Sequence, residues 1–307
     1  FKGYEQLKLS VYILICLFFI CTNITNSAQA TPVKYQTPFE KAQWQFSGDE
    51  FGCEITHRVE SFGTLQLNAN PGEPLALSLE ADWLNLSNTQ SQASVVSAAW
   101  QDTVRQPIAT TSLNWFGSQA ISQQNTAPFL EALEQGHTWQ VAVTSTDNSQ
   151  YLINASPVST RAVANQFRLC RQHLLPKPFT YVRRLELMFA PNSSLISATH
   201  EQDLQAVYRY IQADPSIVEV LIDGHADASG DHLANLVLSK ERADEVLSRL
   251  IELGVSPKMI QTRHHGTRAP VASNNNTEGR ELNRRVTLRL VKSASKSSTA
   301  SALGASK

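Results

Sequence analysis

The residues with the most chemical content lie in one stretch, GHADASGDHLANLVLSKERADEVLSRL, residues 224–250. The apolar run IVEVLID (217–223) reads as a strand, so Asp227 falls in the loop just past a strand end. Ser239 precedes a helically spaced run and fits the part of N-cap, which puts Arg242 in the first helical turn. A cation there is locally unfavourable, because the amides of a helix start already carry partial positive charge. Such an Arg requires an anionic neighbour, and free N–H groups beside a guanidinium form an anion site. A nearby carboxylate suits an ammonium. Asp227 and Arg242 together therefore predict a receptor for a zwitterion, with a carboxylate and an ammonium on one ligand. The alternative is an internal ion pair that ties loop to helix.

Other reactive types are present without a reactive pattern. His225, Asp227 and His232 match no metal-ligand spacing, and no metal is expected. His264 and His265 are adjacent on a predicted strand, so they point to opposite faces and do not chelate together. No nucleophile elbow or Ser-x-x-Lys motif carries a hydrolase mechanism, so neither catalysis nor a cofactor is expected. Trp44, Trp83, Trp100, Trp115 and Trp139 offer a sugar platform or, as the plainer reading, core packing.

The elements that must position the Asp227–Arg242 pair form a regular series. VRRLELMF (182–189) is a strand, HEQDLQAVYRYIQAD (200–214) an amphipathic helix stopped by Pro215, and IVEVLID a second strand. SKERADEVLSRLIELG (239–254) is a second helix, and MIQTRHH (259–265) and RRVTLRLV (284–291) are two more strands. The series β-α-β-α-β-β implies an α+β domain with a mixed sheet over residues 180–292. Upstream, residues 31–175 read as a mainly-β domain. Alternation in TLQL (64–67) and LALSL (75–79), and short runs at 95–96, 139–143 and 151–153, supply strands, with one helix at 126–135. LLPKPF (174–179) reads as a linker, and the Ser/Ala/Lys-rich tail 293–307 as disordered.

The 307 residues carry a formal net charge of -1, which argues against a nucleic-acid partner. Residues 1–30 read as a signal peptide: Lys2 and Lys8, the apolar run VYILICLFFI (11–20), then Ala28-Gln29-Ala30, with Thr31 as mature start. The run is shorter than the ~20 apolar residues of a membrane span, so no transmembrane segment is expected in the mature chain. Ile20 before Cys21 is wrong for lipidation. Cys16 and Cys21 leave with the signal; Cys53 and Cys170 remain, an even pair in an oxidising compartment, and are predicted to bond. In the chain-entropy account such a closure is worth roughly 4–5 kcal/mol. Two buried free thiols are the alternative.

The C-terminal pattern resembles the OmpA-like family. Asp227, ten residues, Leu238-Ser239, two residues, Arg242-Ala243, then Val246 and Leu250 fall at the family spacing, as do Asn235, Gly279-Arg280 and NRRV (283–286). The resemblance implies binding of peptidoglycan through the diaminopimelate of a stem peptide. Asp227 would take the ammonium, and Arg242 with adjacent backbone the carboxylate. Asn235 and Arg284 would line the same pocket. Ala226 stands where the family has Thr, so a hydroxyl is lost and only the backbone N–H remains to bind. Phe189-Ala190 stands where the family has Phe-Asp.

The N-terminal part resembles the MotY family. Cys53, His57, Phe62-Gly63, Phe167 and Cys170 match in order. This resemblance implies a structural role in the flagellar motor of the periplasm, at the basal body and cell wall. The N-terminal domain would meet the basal body, a MotX-like partner and stator units of the sodium-driven type, with a partner face sought between Gln36 and Gly63. A general OmpA- or Pal-like envelope anchor is the other reading.

Overall fold

The computed structural model describes residues 31–98 and 106–293. The predicted signal peptide, Trp100 and the predicted tail beyond Ser293 lie outside the described residues.

Ten strands build the first sheet: β1 (Val33–Gln36), β2 (Trp44–Asp49), β3 (Gly52–Val59), β4 (Gly63–Ala69), β5 (Ala76–Ala81), β6 (Leu86–Val96), β7 (Ala109–Gly117), β8 (Gln119–Ser122), β9 (Thr138–Thr144) and β10 (Gln150–Ala155). Their order is β1-β10-β9-β6-β7-β8-β5-β4-β3-β2. The alternation that predicts strands also decides the faces. On β4, Gly63, Leu65, Leu67 and Ala69 point inward, and on β9 Trp139, Val141 and Val143 do. The sheet curls so that its two ends meet. Trp44 on β2 stands edge-on to Trp139 on β9 at 4.9 Å, and its indole N–H donates to the Ser156 carbonyl at 2.6 Å. Thr37, just past β1, donates to the Arg58 carbonyl of β3.

Two helices plug this sheet. The expected one, α1 (Ala127–Gln135), buries Phe129, Leu130 and Leu133 and stops at Gly136, whose φ of 73° a side chain rarely tolerates. The second, α2 (Thr160–His173), was not predicted; it packs on β2 and β3, buries Phe167 and brings Cys170 to Cys53. The Cys53–Cys170 disulfide is present, closing 117 residues of sequence. Trp115 and Trp139 are core residues and Trp44 nearly so, whereas Trp83 is 49% exposed.

The C-terminal sheet has the order β11-β14-β12-β13, with β11 (Arg184–Met188), β12 (Ile217–Gly224), β13 (Ile260–His264) and β14 (Arg285–Lys292). It is mixed as expected: β14 runs antiparallel to β11 and β12, and β12 parallel to β13. A short α3 (Phe179–Val182) leads in. Helices α4 (Ala198–Ala213) and α5 (His232–Leu253) set Leu204, Val207, Val246 and Leu250 against Leu187, Val220, Ile222 and Leu288 of the sheet. A further helix, α6 (Thr277–Asn283), lies between the last two strands, where none was predicted.

Segment 174–179, read as a linker, is docked at both ends. The Leu175 side chain is in the C-terminal core, while its N–H donates to the Glu50 carbonyl of the N-terminal domain. Phe51 meets Tyr210 at 5.9 Å, and Arg209 reaches the Leu174 carbonyl.

Candidate functional site

Strand β12 delivers the acid. A Cβ on Gly224 would overlap the Ser239 carbonyl oxygen, so glycine alone lets the strand end lie this close to α5. The chain then turns through His225, Ala226 and Asp227. The Asp227 Oδ1 accepts the Ser229 N–H at 2.8 Å, an Asx turn that fixes the carboxylate. Oδ2 accepts from Arg284 Nη1 at 3.0 Å. Burial pushes the Asp227 carboxyl up, but the Ser229 amide and the Arg284 guanidinium outweigh it and hold it below the usual carboxylate range.

The helix that delivers Arg242 starts earlier than the sequence suggests. Its N-cap is Asp231, whose carboxylate accepts the N–H groups of Leu233 and Ala234 at 2.9 Å each. Ser239 is therefore mid-helix and fully buried; it donates to Leu236 O and accepts the Gly266 N–H at 3.0 Å. Arg242 sits well inside the helix, away from any free first-turn amide, and the argument from a helix-start cation falls.

What Arg242 does instead is legible in its contacts. It is fully buried, and Nε, Nη1 and Nη2 donate to the carbonyls of Ser193, His225 and Ala190. Its guanidinium lies 5.4 Å from the Phe189 ring centre. Burial lowers its pKa to about 10, against the pull of Asp227, so it stays charged at neutral pH. The backbone N–H of Ala226 is likewise engaged, on the Gly266 carbonyl at 2.9 Å, and is not free for a ligand.

These residues converge nonetheless. Asp227, Arg242, Asn235, Ala226 and Arg284 all line one cavity of about 290 Å³. Asn235 supports its rim by donating to the Ser229 carbonyl at 2.7 Å. Sequence reasoning missed Asn192, Ser229, Thr277, Arg280 and Glu281, which line it too. The signal for Arg280 and Glu281 was available: Asn276 caps α6 by accepting the Gly279 N–H at 2.7 Å, a short capped helix just before NRRV. Asn283 of that motif pins loop 271–274, accepting from Val271 and Ala272. In charge, one buried carboxylate faces two buried guanidinium groups, with Arg280 and Glu281 at the rim. An anionic end of a ligand is attracted by the surplus guanidinium, and an ammonium by Asp227.

Behind the cavity lies a histidine pair. The rings of His225 and His265 stack at 4.7 Å, and His265 Nε2 lies 3.0 Å from Asp223 Oδ1. Burial, with Arg285 and His265 close by, lowers the pKa of His225 to about 4. Asp227 points into the cavity, and His232, in the first turn of α5, is exposed.

Residues 35–176 match the MotY N-terminal domain, and residues 188–284 match the OmpA family. Over 272 residues, 86% of this chain and 92% of the relative, the sequence is 21% identical to the sodium-type flagellar protein MotY of Vibrio parahaemolyticus. It is 35% identical over 102 residues to the probable lipoprotein YiaD of Escherichia coli, an alignment that spans 33% of this chain and 46% of that relative. Among solved structures, the C-terminal domain of Helicobacter pylori MotB aligns over 36% of this chain and 86% of its own length, with 25% identity and a TM-score of 0.34.

Proposed function

This chain joins a MotY N-terminal domain to an OmpA-family domain, and from that premise we propose that it is a structural part of a bacterial flagellar motor, held to the cell wall in the periplasm. The observation that carries the reading is the co-occurrence of the two domains in one chain, with a likeness to a sodium-type flagellar protein that runs through both of them. The C-terminal cavity supplies the wall contact: Asp227 receives the ammonium of a diaminopimelate stem peptide, and the guanidinium groups of Arg242 and Arg284 attract its carboxylate. The N-terminal domain meets the basal body, a MotX-like partner and the stator units, in a sodium-driven motor. The work is mechanical rather than catalytic. Torque is resisted by a covalent wall, and copies in a ring hold by avidity although each site is weak.

Deletion in a flagellated host tests this. The expected result is intact filaments with swimming lost or poor, and recovery of the protein with purified basal bodies. Normal swimming combined with detergent sensitivity instead assigns the chain to a general OmpA- or Pal-like envelope anchor, a reading favoured by the likeness of the C-terminal domain alone to a lipoprotein.

A further inference from the structure

A second cleft lies on the outer face of β2, β3 and β4, in the N-terminal domain. It encloses about 510 Å³. Its floor is set by strand register: Gln45 pairs with Thr56, and Thr56 with Gln66, while Arg58 pairs with Thr64. The outward side chains are thus amides and hydroxyls in rows, with Arg58 and Lys41 at the side. The planar amides of Gln43 and Gln45 offer paired donors and acceptors, the complement of vicinal hydroxyls and an acetamido group. No aliphatic or aromatic side chain lines the cleft to seat a hydrophobic peptide anchor.

Beside it stands an aromatic ledge. Trp83 is 49% exposed, a large apolar area for a soluble surface, yet it is firmly held. Its indole N–H donates to the Ser61 carbonyl at 3.0 Å, and its ring meets Tyr151 and Phe62 in T-shaped contacts at 5.4 and 5.6 Å. Tyr35 completes the cluster at 6.2 Å from Trp83. Two links join ledge to cleft. Ser61 lines the cleft, and Asp82, next to Trp83 in the chain, is ion-paired with Arg58 of the cleft. A rigid, exposed aromatic held by its aromatic neighbours loses little entropy on contact and presents an apolar body beside a wet rim. That combination fits the alternating C–H faces and polar edges of a sugar.

We propose that this cleft, with the Trp83 ledge, is a carbohydrate-binding site that takes a glycan strand of N-acetylated amino sugars. The choice of amino sugar rests on the wall-facing reading above; the carbohydrate chemistry rests on the cleft itself. A grip on the glycan strand by the N-terminal domain and on a stem peptide by the C-terminal domain would give each copy two unlike holds on one polymer.

The probe is tetra-N-acetylchitotetraose, which has the amino-sugar backbone and no stem peptide. Titrated into the purified chain, it should bind saturably in the millimolar range or tighter, read by calorimetry. Trp83→Ala should weaken binding tenfold or more, and Trp83→Phe less. Should Trp83→Ala fail to fold, Gln45→Ala with Thr56→Ala, both on the solvent face, should weaken it at least threefold. Asp227→Asn should leave it unchanged, which separates this site from the stem-peptide site. Absence of saturable binding, or equal affinity in the cleft variants, overturns the proposal. So does loss of basal-body recovery in Trp83→Ala without any sugar binding by the parent chain, which would make the ledge a protein contact.

Discussion

Asp227 and Arg242 share a cavity but differ in what holds them, and that difference changes which substitution probes the site. Arg242→Ala deprives three backbone carbonyls of their donor in a fully buried place. With about 1–3 kcal/mol for each buried group left unsatisfied, the C-terminal domain should lose at least ~3 kcal/mol by denaturant titration. Loss of wall binding in that variant would be ambiguous. Asp227→Asn keeps an acceptor for the Ser229 amide and removes the charge, so it should cut pull-down by purified peptidoglycan at least tenfold while the domain stays folded. Unchanged pull-down would reject the cavity as the wall site. His225 adds a pH dependence. Its folded pKa, about 4, lies below its ordinary value of 6.5, so the folded state binds fewer protons between these limits. Its contribution to stability is complete above pH 6.5 and is lost as pH falls towards 4. His225→Phe, which keeps an aromatic ring against His265, should flatten the fall in denaturation midpoint between pH 7 and pH 4.5; an unaltered slope would discount His225. Asp227 and Arg242 were singled out in the sequence by residue type and spacing, and Arg284 only through the resemblance to the OmpA-like family. The pairing of acid and guanidinium was not legible, because Arg284, the partner of Asp227, arrives at the C-terminal end of α6 from 57 positions away.

At the scale of elements, strands that bury one face completely, such as β4 and β9, could be read from period-two alternation, whereas β1 and β2, which expose most of their side chains, could not. The start of α5 could not. Its first two turns expose Leu233 and Val237, at 66% and 49%, so the burial stripe that marks an amphipathic helix begins only near Ser239. Periodicity therefore points to Ser239 as N-cap, eight residues past the actual cap, Asp231. The caps make opposite predictions. If Asp231 closes the helix, Asp231→Ala should cost about 1 kcal/mol through two freed amides. Ser239→Ala should cost a comparable or larger amount for another reason, since it strips the buried Gly266 N–H of its acceptor. Adding Asp231→Ala should raise amide exchange at residues 232–235, and Ser239→Ala at Gly266; the reverse pattern would restore Ser239 as the cap. Helix α2 was hidden for a related reason. It was read with a β-rich domain because its apolar residues Val163, Ala164 and Phe167 are few, and most of its length is exposed.

Taken whole, the molecule is two cores joined by a short strap that neither end leaves free. The disulfide sits where the strap begins: Cys170 lies on α2, which ends at His173, and Leu175 is already in the second core. Gly48 shows how closely the sulfur is packed, since a Cβ there would stand 2.7 Å from Cys170 Sγ. The bond therefore has two consequences that experiment can separate. It restricts the unfolded N-terminal chain by closing 117 residues, worth roughly 4–5 kcal/mol in the entropic account. It also anchors α2 against β3, and so fixes the point from which the C-terminal domain departs. Replacing both Cys53 and Cys170 with Ser should lower the stability of the N-terminal domain by about that amount, and open segment 174–179 to limited proteolysis. The C-terminal domain should keep its own unfolding midpoint and its peptidoglycan pull-down, because its core and cavity draw no residue from the bond. A single unfolding transition that moves for both domains together would mean that the contacts of Glu50, Phe51 and Arg209 couple the two cores into one cooperative unit.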